Sequence, residues 1–243
     1  MPEYSSQRDD PIDATRGWLY ALFFASGLAA LVYQVMWARS FGVVFGSTSQ
    51  AAAVVLATFF LGMGIGNLLG GRLSRGRLHA LWVYAWVEIA IAALAPLVIP
   101  WLVLYQDLYP GLYQSEFGQG AALTMVRVGL AFVAMAPPCI AMGATLPLIS
   151  RAVVSDTGHV SRRVASIYAV NTVGAVLGTL LSGFLLPVRL GVTGSVLAAA
   201  VLNAGVGIGA LVLWRRWQAL GVRDKEISSG VPPLDTDRAD AGA

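Results

Sequence analysis

The chain has 243 residues, of which 57% are hydrophobic and only 12% charged, with a mean hydropathy of +0.69. Soluble domains carry about 25% charged residues. Sixteen basic and 13 acidic side chains cannot cover a globule of this size, so a soluble enzyme is excluded. At about 20 apolar residues per crossing, the length accommodates several membrane helices and no sizeable catalytic domain outside the bilayer.

The net charge is +3, with a single Lys, Lys225, among the basic residues. In a soluble protein that bias would suggest nucleic acid. Here the placement of the charges speaks for membrane topology, and no nucleic-acid partner is expected. Cys139 is the only cysteine and lies in an apolar stretch, which leaves no disulfide framework and no clustered metal site. Residues 1–16 mix Arg8 and Arg16 with Glu3, Asp9, Asp10 and Asp13. The apolar run that follows is too long for a signal-peptide core and is expected to stay as a signal anchor.

Six apolar segments follow in chain order, 17–38, 50–71, 80–104, 121–150, 163–187 and 191–214. Lipid offers no partner for backbone N–H and C=O groups, so each segment is expected to be helical. A barrel would need short alternating strands, and these runs are continuous. The expected fold class is therefore all-α, a polytopic bundle of six transmembrane helices. Its parts are a tail over 1–16, a membrane domain over 17–214, and a basic, then disordered, tail over 215–243.

Orientation follows from Lys and Arg in the connections. The N-terminal tail, the second and fourth connections and the C-terminal tail hold 13 of them, against Arg39 and Arg189 on the other side. Both termini are accordingly expected in the cytoplasm of a bacterial inner-membrane protein. The third connection, 105–121, has Asp107 and Glu116 and no basic residue, which suits an outward loop. Tyr105, Tyr109, Tyr113 and Phe117 recur every fourth residue. They suggest an interfacial helical turn, interrupted near Pro110-Gly111, with its rings at headgroup depth.

An internal repeat is visible at an offset of 112 residues. Gly62, Gly66 and Gly71 match Gly174, Gly178 and Gly183, and Arg39 matches Arg151. Three helices per repeat is an odd number, so the second repeat must be inverted, as in the building units of many transporters. Gly62, Gly64, Gly66, Gly70 and Gly71 also imitate a nucleotide-binding glycine loop, but no strand precedes them. Close helix packing is the physical reading for Gly62, Gly66, Gly70, Gly174 and Gly178.

Glu88 lies about 12 Å into the third helix at 1.5 Å per residue. An ionisable group at that depth is a functional candidate, with a structural hydrogen bond as the alternative. Arg127, near the outer end of the fourth helix, could pair with it across an axial offset of about 10 Å, or snorkel to the headgroups. Tyr33, Gln34 and Asn171 complete the candidate substrate-binding set; Thr172, Asn67 and Asn203 are further polar groups within spans. Single polar residues of this kind usually bond between helices. Pro96, Pro100, Pro137, Pro138 and Pro147 are expected to kink the third and fourth helices. His79 and His159 lack Cys or acidic companions, so no metal site, no catalytic constellation and no cofactor is expected.

The stretch Ser26-Gly27-Leu28-Ala29-Ala30-Leu31-Val32-Tyr33-Gln34-Val35-Met36-Trp37-Ala38-Arg39, followed by Val44-Phe45-Gly46-Ser47-Thr48, resembles the start of the membrane half of fused membrane/spermidine-synthase-like proteins. Gly70-Gly71-Arg72-Leu73, Val87-Glu88-Ile89, Met142-Gly143-Ala144-Thr145-Leu146-Pro147-Leu148 and Tyr168-Ala169-Val170-Asn171-Thr172-Val173-Gly174-Ala175-Val176-Leu177-Gly178 extend the resemblance over residues 23 to 205. It implies a bundle similar to half of a major facilitator fold, often followed by an aminopropyltransferase-like domain. This chain ends instead in a short polar tail, so that activity is not expected of it. Two functions are consistent with this reading. One is transport or channelling of a small cationic solute such as a polyamine, through a homodimer or with a second membrane half. The other is a membrane anchor for a separately encoded spermidine-synthase-like enzyme.

Overall fold

The computed structural model describes residues 11–45, 48–75, 79–114, 121–153 and 160–219. The expected disordered tail beyond 219 and the extreme N-terminus lie outside these residues. The described chain is all-α, a multi-pass bundle, with no strand among the described residues. Its helices are α1 (Pro11–Phe45), α2 (Thr48–Leu73), α3 (Ala80–Leu94), α4 (Val98–Gln114), α5 (Ala121–Val153), α6 (Val160–Phe184) and α7 (Leu186–Ala219), with a 3₁₀ turn at Ala95–Leu97 between α3 and α4. Among the described residues six stretches are long and apolar enough to cross a membrane, α3 and α4 together forming one, Ala80–Asp107.

Several helices outrun their apolar segments. Helix α1 continues from Ala38 to Phe45 because Phe41 and Phe45 pack into the core beside Trp37. Arg39 therefore lies within a helix rather than in an outer connection, and its guanidinium donates to the Gly183 carbonyl in the last turn of α6 at 3.0 Å. That carbonyl lacks an intrahelical donor, and a cation there also meets the negative end of the helix dipole. Helix α4 runs unbroken through Pro110-Gly111 to Gln114, which corrects the expected interruption. The bend falls earlier, at the 3₁₀ turn holding Pro96, where the missing proline N–H removes a helical hydrogen bond. Pro137, Pro138 and Pro147 are all accommodated inside α5. Between α6 and the body of α7 the chain turns at Gly191, whose φ of 67° and ψ of −178° suit only glycine.

The packing obeys the repeat. Lipid gives helices no hydrophobic reason to associate, so close backbone approach at small residues must hold them. A Cβ on Gly66 would overlap the Ile140 carbonyl of α5, and one on Gly178 would overlap the Leu28 carbonyl of α1. Both pairs exchange under the 112-residue offset. A Cβ on Gly62 would stand 3.3 Å from Ile140 N, and one on Gly174 would stand 3.3 Å from Leu28 N, again an exchanged pair. Gly70 meets Ala144 and Pro147. Along each seam the residue numbers rise together, so α2 runs parallel to α5 and α1 parallel to α6.

Helix α7 runs antiparallel to α3, with Trp82 on Trp214, His79 on Trp217 and Gly207 against Ala85 and Ile89. The starts of α1, α3 and α6 and the ends of α5 and α7 thus meet at one end of the bundle, around Leu19, Leu81, Leu148, Ile167 and Leu213. Arg72, Arg75, Arg151, Arg162, Arg163, Arg215 and Arg216 belong to that end, and Arg39 and Arg189 to the other.

Candidate functional site

Glu88 is 0% exposed, and its Oε2 accepts a hydrogen bond from Asn203 Nδ2 of α7, itself 1% exposed. The antiparallel packing of α3 and α7 sets this pair side by side. Ser26 of α1 and Tyr84, one turn earlier on α3, also face the carboxyl, and Tyr33 of α1 lies within its electrostatic reach. None of these reaches strict hydrogen-bond geometry. Glu88 Oε1, Asn203 Oδ1 and the hydroxyls of Tyr33 and Tyr84 are all buried without a partner. Buried polar atoms are normally paired, so four unpaired oxygens around one carboxyl mark this place as unlike the rest of the core.

Beside it opens a cavity of about 340 Å³. Ser26 and Asn203 form its floor, with Glu88 directly behind them. Phe60 and Tyr168, 65% and 57% exposed, stand on its rim, so the cavity reaches the outer surface between α2 and α6. Six pairs of lining residues are related by the 112-residue offset: Ala30 with Met142, Gln34 with Leu146, Phe59 with Asn171, Phe60 with Thr172, Met63 with Ala175, and Ile91 with Asn203. The cavity therefore lies on the repeat axis.

The two walls differ in chemistry. In four of the six pairs the member on α1, α6 or α7 is polar (Gln34, Asn171, Thr172, Asn203). Its counterpart on α2, α3 or α5 is Leu146, Phe59, Phe60 or Ile91. Thr145, the polar exception on the apolar wall, spends its hydroxyl on the Met142 carbonyl at 2.7 Å. Asn171 is fixed by its own bond, Nδ2 to the Phe23 carbonyl at 2.8 Å, and it fills the space left by Gly27. Gln34 sits eight residues beyond Ser26 on α1, about 12 Å along the helix. The cavity is thus elongated, with a carboxyl behind one end, an amide at the other and aliphatic side chains between.

Of the residues singled out from sequence, Glu88, Gln34 and Asn171 gather at this place. Tyr33 reaches the carboxyl from behind, stacked on Trp37 at 5.6 Å and 19°, and does not line the cavity. Arg127 does not join them. It lies 15 residues before Met142 of the cavity wall, about 22 Å of helix, and its side chain lies outside the described residues. That length of helix is greater than the axial offset of about 10 Å expected from the sequence. Sequence reasoning put Asn203 among ordinary polar residues and passed over Ser26 and Tyr84. The spacing of Tyr84 and Glu88, one helical turn, was the available signal. Among the described residues no three His, Cys, Asp or Glu side chains cluster as for a metal ion.

No protein-family model, curated protein or solved structure matches this chain.

Proposed function

We propose that the protein is an inner-membrane module that binds a small elongated amine in this cavity and passes it across the bilayer. The observation that carries the reading is the pairing of an amphipathic cavity with a buried carboxyl behind its Ser26 and Asn203 wall. An ammonium group supplies the charge that the carboxyl lacks, the aliphatic chain lies along Phe59, Ile91 and Leu146, and Gln34 accepts from a second polar group. Polyamines are the solute class with that pattern, and the sequence resemblance to spermidine-synthase-like proteins supports the same class. Six helices make one repeat pair, so a complete pathway requires a second copy or a second membrane half.

The arginine-rich end supports a reading with both termini in the cytoplasm under the positive-inside rule. It also favours a second reading, in which that end docks an acidic face of a soluble spermidine-synthase-like enzyme and the bundle is its anchor.

Uptake of radiolabelled 1,4-diaminobutane into proteoliposomes separates the two. Transport predicts saturable accumulation that the neutral analogue 1,4-butanediol does not inhibit. Absence of both uptake and binding, with a soluble enzyme recovered on the basic end, would leave the anchor.

A further inference from the structure

We propose that a proton and the amine compete for the Glu88 carboxyl, so that each ammonium that binds there expels one proton. This rests on the amine-binding reading of the cavity and adds to it the coupling ion. The argument is one of charge in a low-dielectric interior. An uncompensated buried charge costs several kcal/mol, so Glu88 must carry a proton or hold a cation.

Among the described residues the groups around it supply no cation. Ser26 and Tyr33 face it from α1, Tyr84 from its own helix and Asn203 from α7, and none carries positive charge. On α5, which also packs against α3, Cys139 sits at Gly62 of α2, Arg151 ends the helix, and Arg127 is about 22 Å from the cavity wall along the helix. The basic residues of α7 are Arg189, Arg215 and Arg216, near its two ends. On this proposal the carboxyl holds a proton when the cavity is empty of cations.

The exchange balances. The carboxyl O–H bond breaks, its proton is released to the medium that supplies the ammonium, and the carboxylate forms an ion pair with the entering ammonium; no electron is transferred, and one positive charge enters as one leaves. Among the described residues Glu88 is the one carboxyl beside the cavity, so one proton is expelled per solute whatever further polar groups the solute bears. The unpartnered Glu88 Oε1 is an acceptor that an ammonium, with its three N–H donors, would satisfy on passing Ser26 and Asn203.

The test uses the full chain purified in detergent, lightly buffered, with 1,4-diaminobutane as the probe. Binding is expected to release about one proton per diamine, and affinity to rise about tenfold per pH unit while the carboxyl is protonated. The infrared carbonyl band of a protonated carboxyl should be present in the empty protein, fade on diamine addition, and be missing in Glu88→Gln. The first two readouts need only the parent protein, so a poorly folding variant does not remove the test. Diamine binding that is independent of pH and releases no proton overturns the exchange and leaves amine binding standing. No diamine binding at any pH overturns the amine reading itself.

Discussion

The two walls of the cavity have the same backbone and opposite chemistry. Gly66 on Ile140 and Gly178 on Leu28 are one contact made twice, and the seams they close fix α2 on α5 and α1 on α6 in the same way. At the matching lining positions the copies part. Phe59 faces Asn171 across the repeat axis, Ile91 faces Asn203, and Leu146 faces Gln34. Glu88 itself has Ala200 as its counterpart. Where the repeats agree they build the scaffold, and where they differ they build the site.

The strongest way to break this comparison is through the seams. Gly66→Leu and Gly178→Leu drive a side chain into a backbone carbonyl that cannot retreat, so both variants are expected to lose the folded state in detergent. Ala at either position already overlaps that carbonyl and should cost at least as much as ordinary overpacking, about 1–3 kcal/mol. Gly64→Ala and Gly183→Ala face open space and should leave folding stability unchanged or raise it by up to about 1 kcal/mol. Unequal effects of Gly66→Ala and Gly178→Ala would show that the two seams are not equivalent.

The next test addresses the polar side alone. Asn203→Leu removes the Asn203 Nδ2 hydrogen bond to the Glu88 carboxyl, leaving a buried polar group less well paired at a cost of about 1–3 kcal/mol. Adding Glu88→Gln to it should recover part of that loss, because the two residues act as a pair. Additive losses in the double-variant melts would place the two side chains in separate environments. A smaller effect is expected from Asn171→Ala, which gives up the bond to the Phe23 carbonyl and about 1 kcal/mol.

The smallest effect tests a difference at the bundle ends. Arg39 caps the Gly183 carbonyl, whereas the equivalent carbonyl, Gly71, receives the Ser74 hydroxyl at 3.0 Å instead of Arg151. Arg39→Gln should cost about 0.3–1 kcal/mol and Arg151→Gln nothing measurable. Equal melts for the two would remove Arg39 from the account of α6.

The spans and the glycine seams were legible because lipid enforces long apolar helices and because only small residues permit close helix contact. Glu88 was legible for the same reason, as an ionisable group where none is free of cost. The helix ends were not, since Phe45 and Ala219 terminate helices whose last turns leave the apolar pattern and are held by aromatic packing of Phe41, Phe45 and Trp217. Nor was the surround of Glu88. Ser26, Tyr84 and Asn203 converge from α1, α3 and α7 only once the antiparallel packing of α3 and α7 is in place, and no local pattern announces it.

The measurement that bears most directly on the central claim is the affinity of 1,4-diaminobutane for the parent protein and for Glu88→Gln, by calorimetry in detergent, with melting curves to establish that both are folded. Loss of a charge-assisted interaction is worth about 1.5–3 kcal/mol, so the variant is expected to bind roughly 10- to 150-fold more weakly while melting at or above the parent temperature. Equal affinity in two folded proteins would contradict the assignment of the cavity and its carboxyl as the amine site.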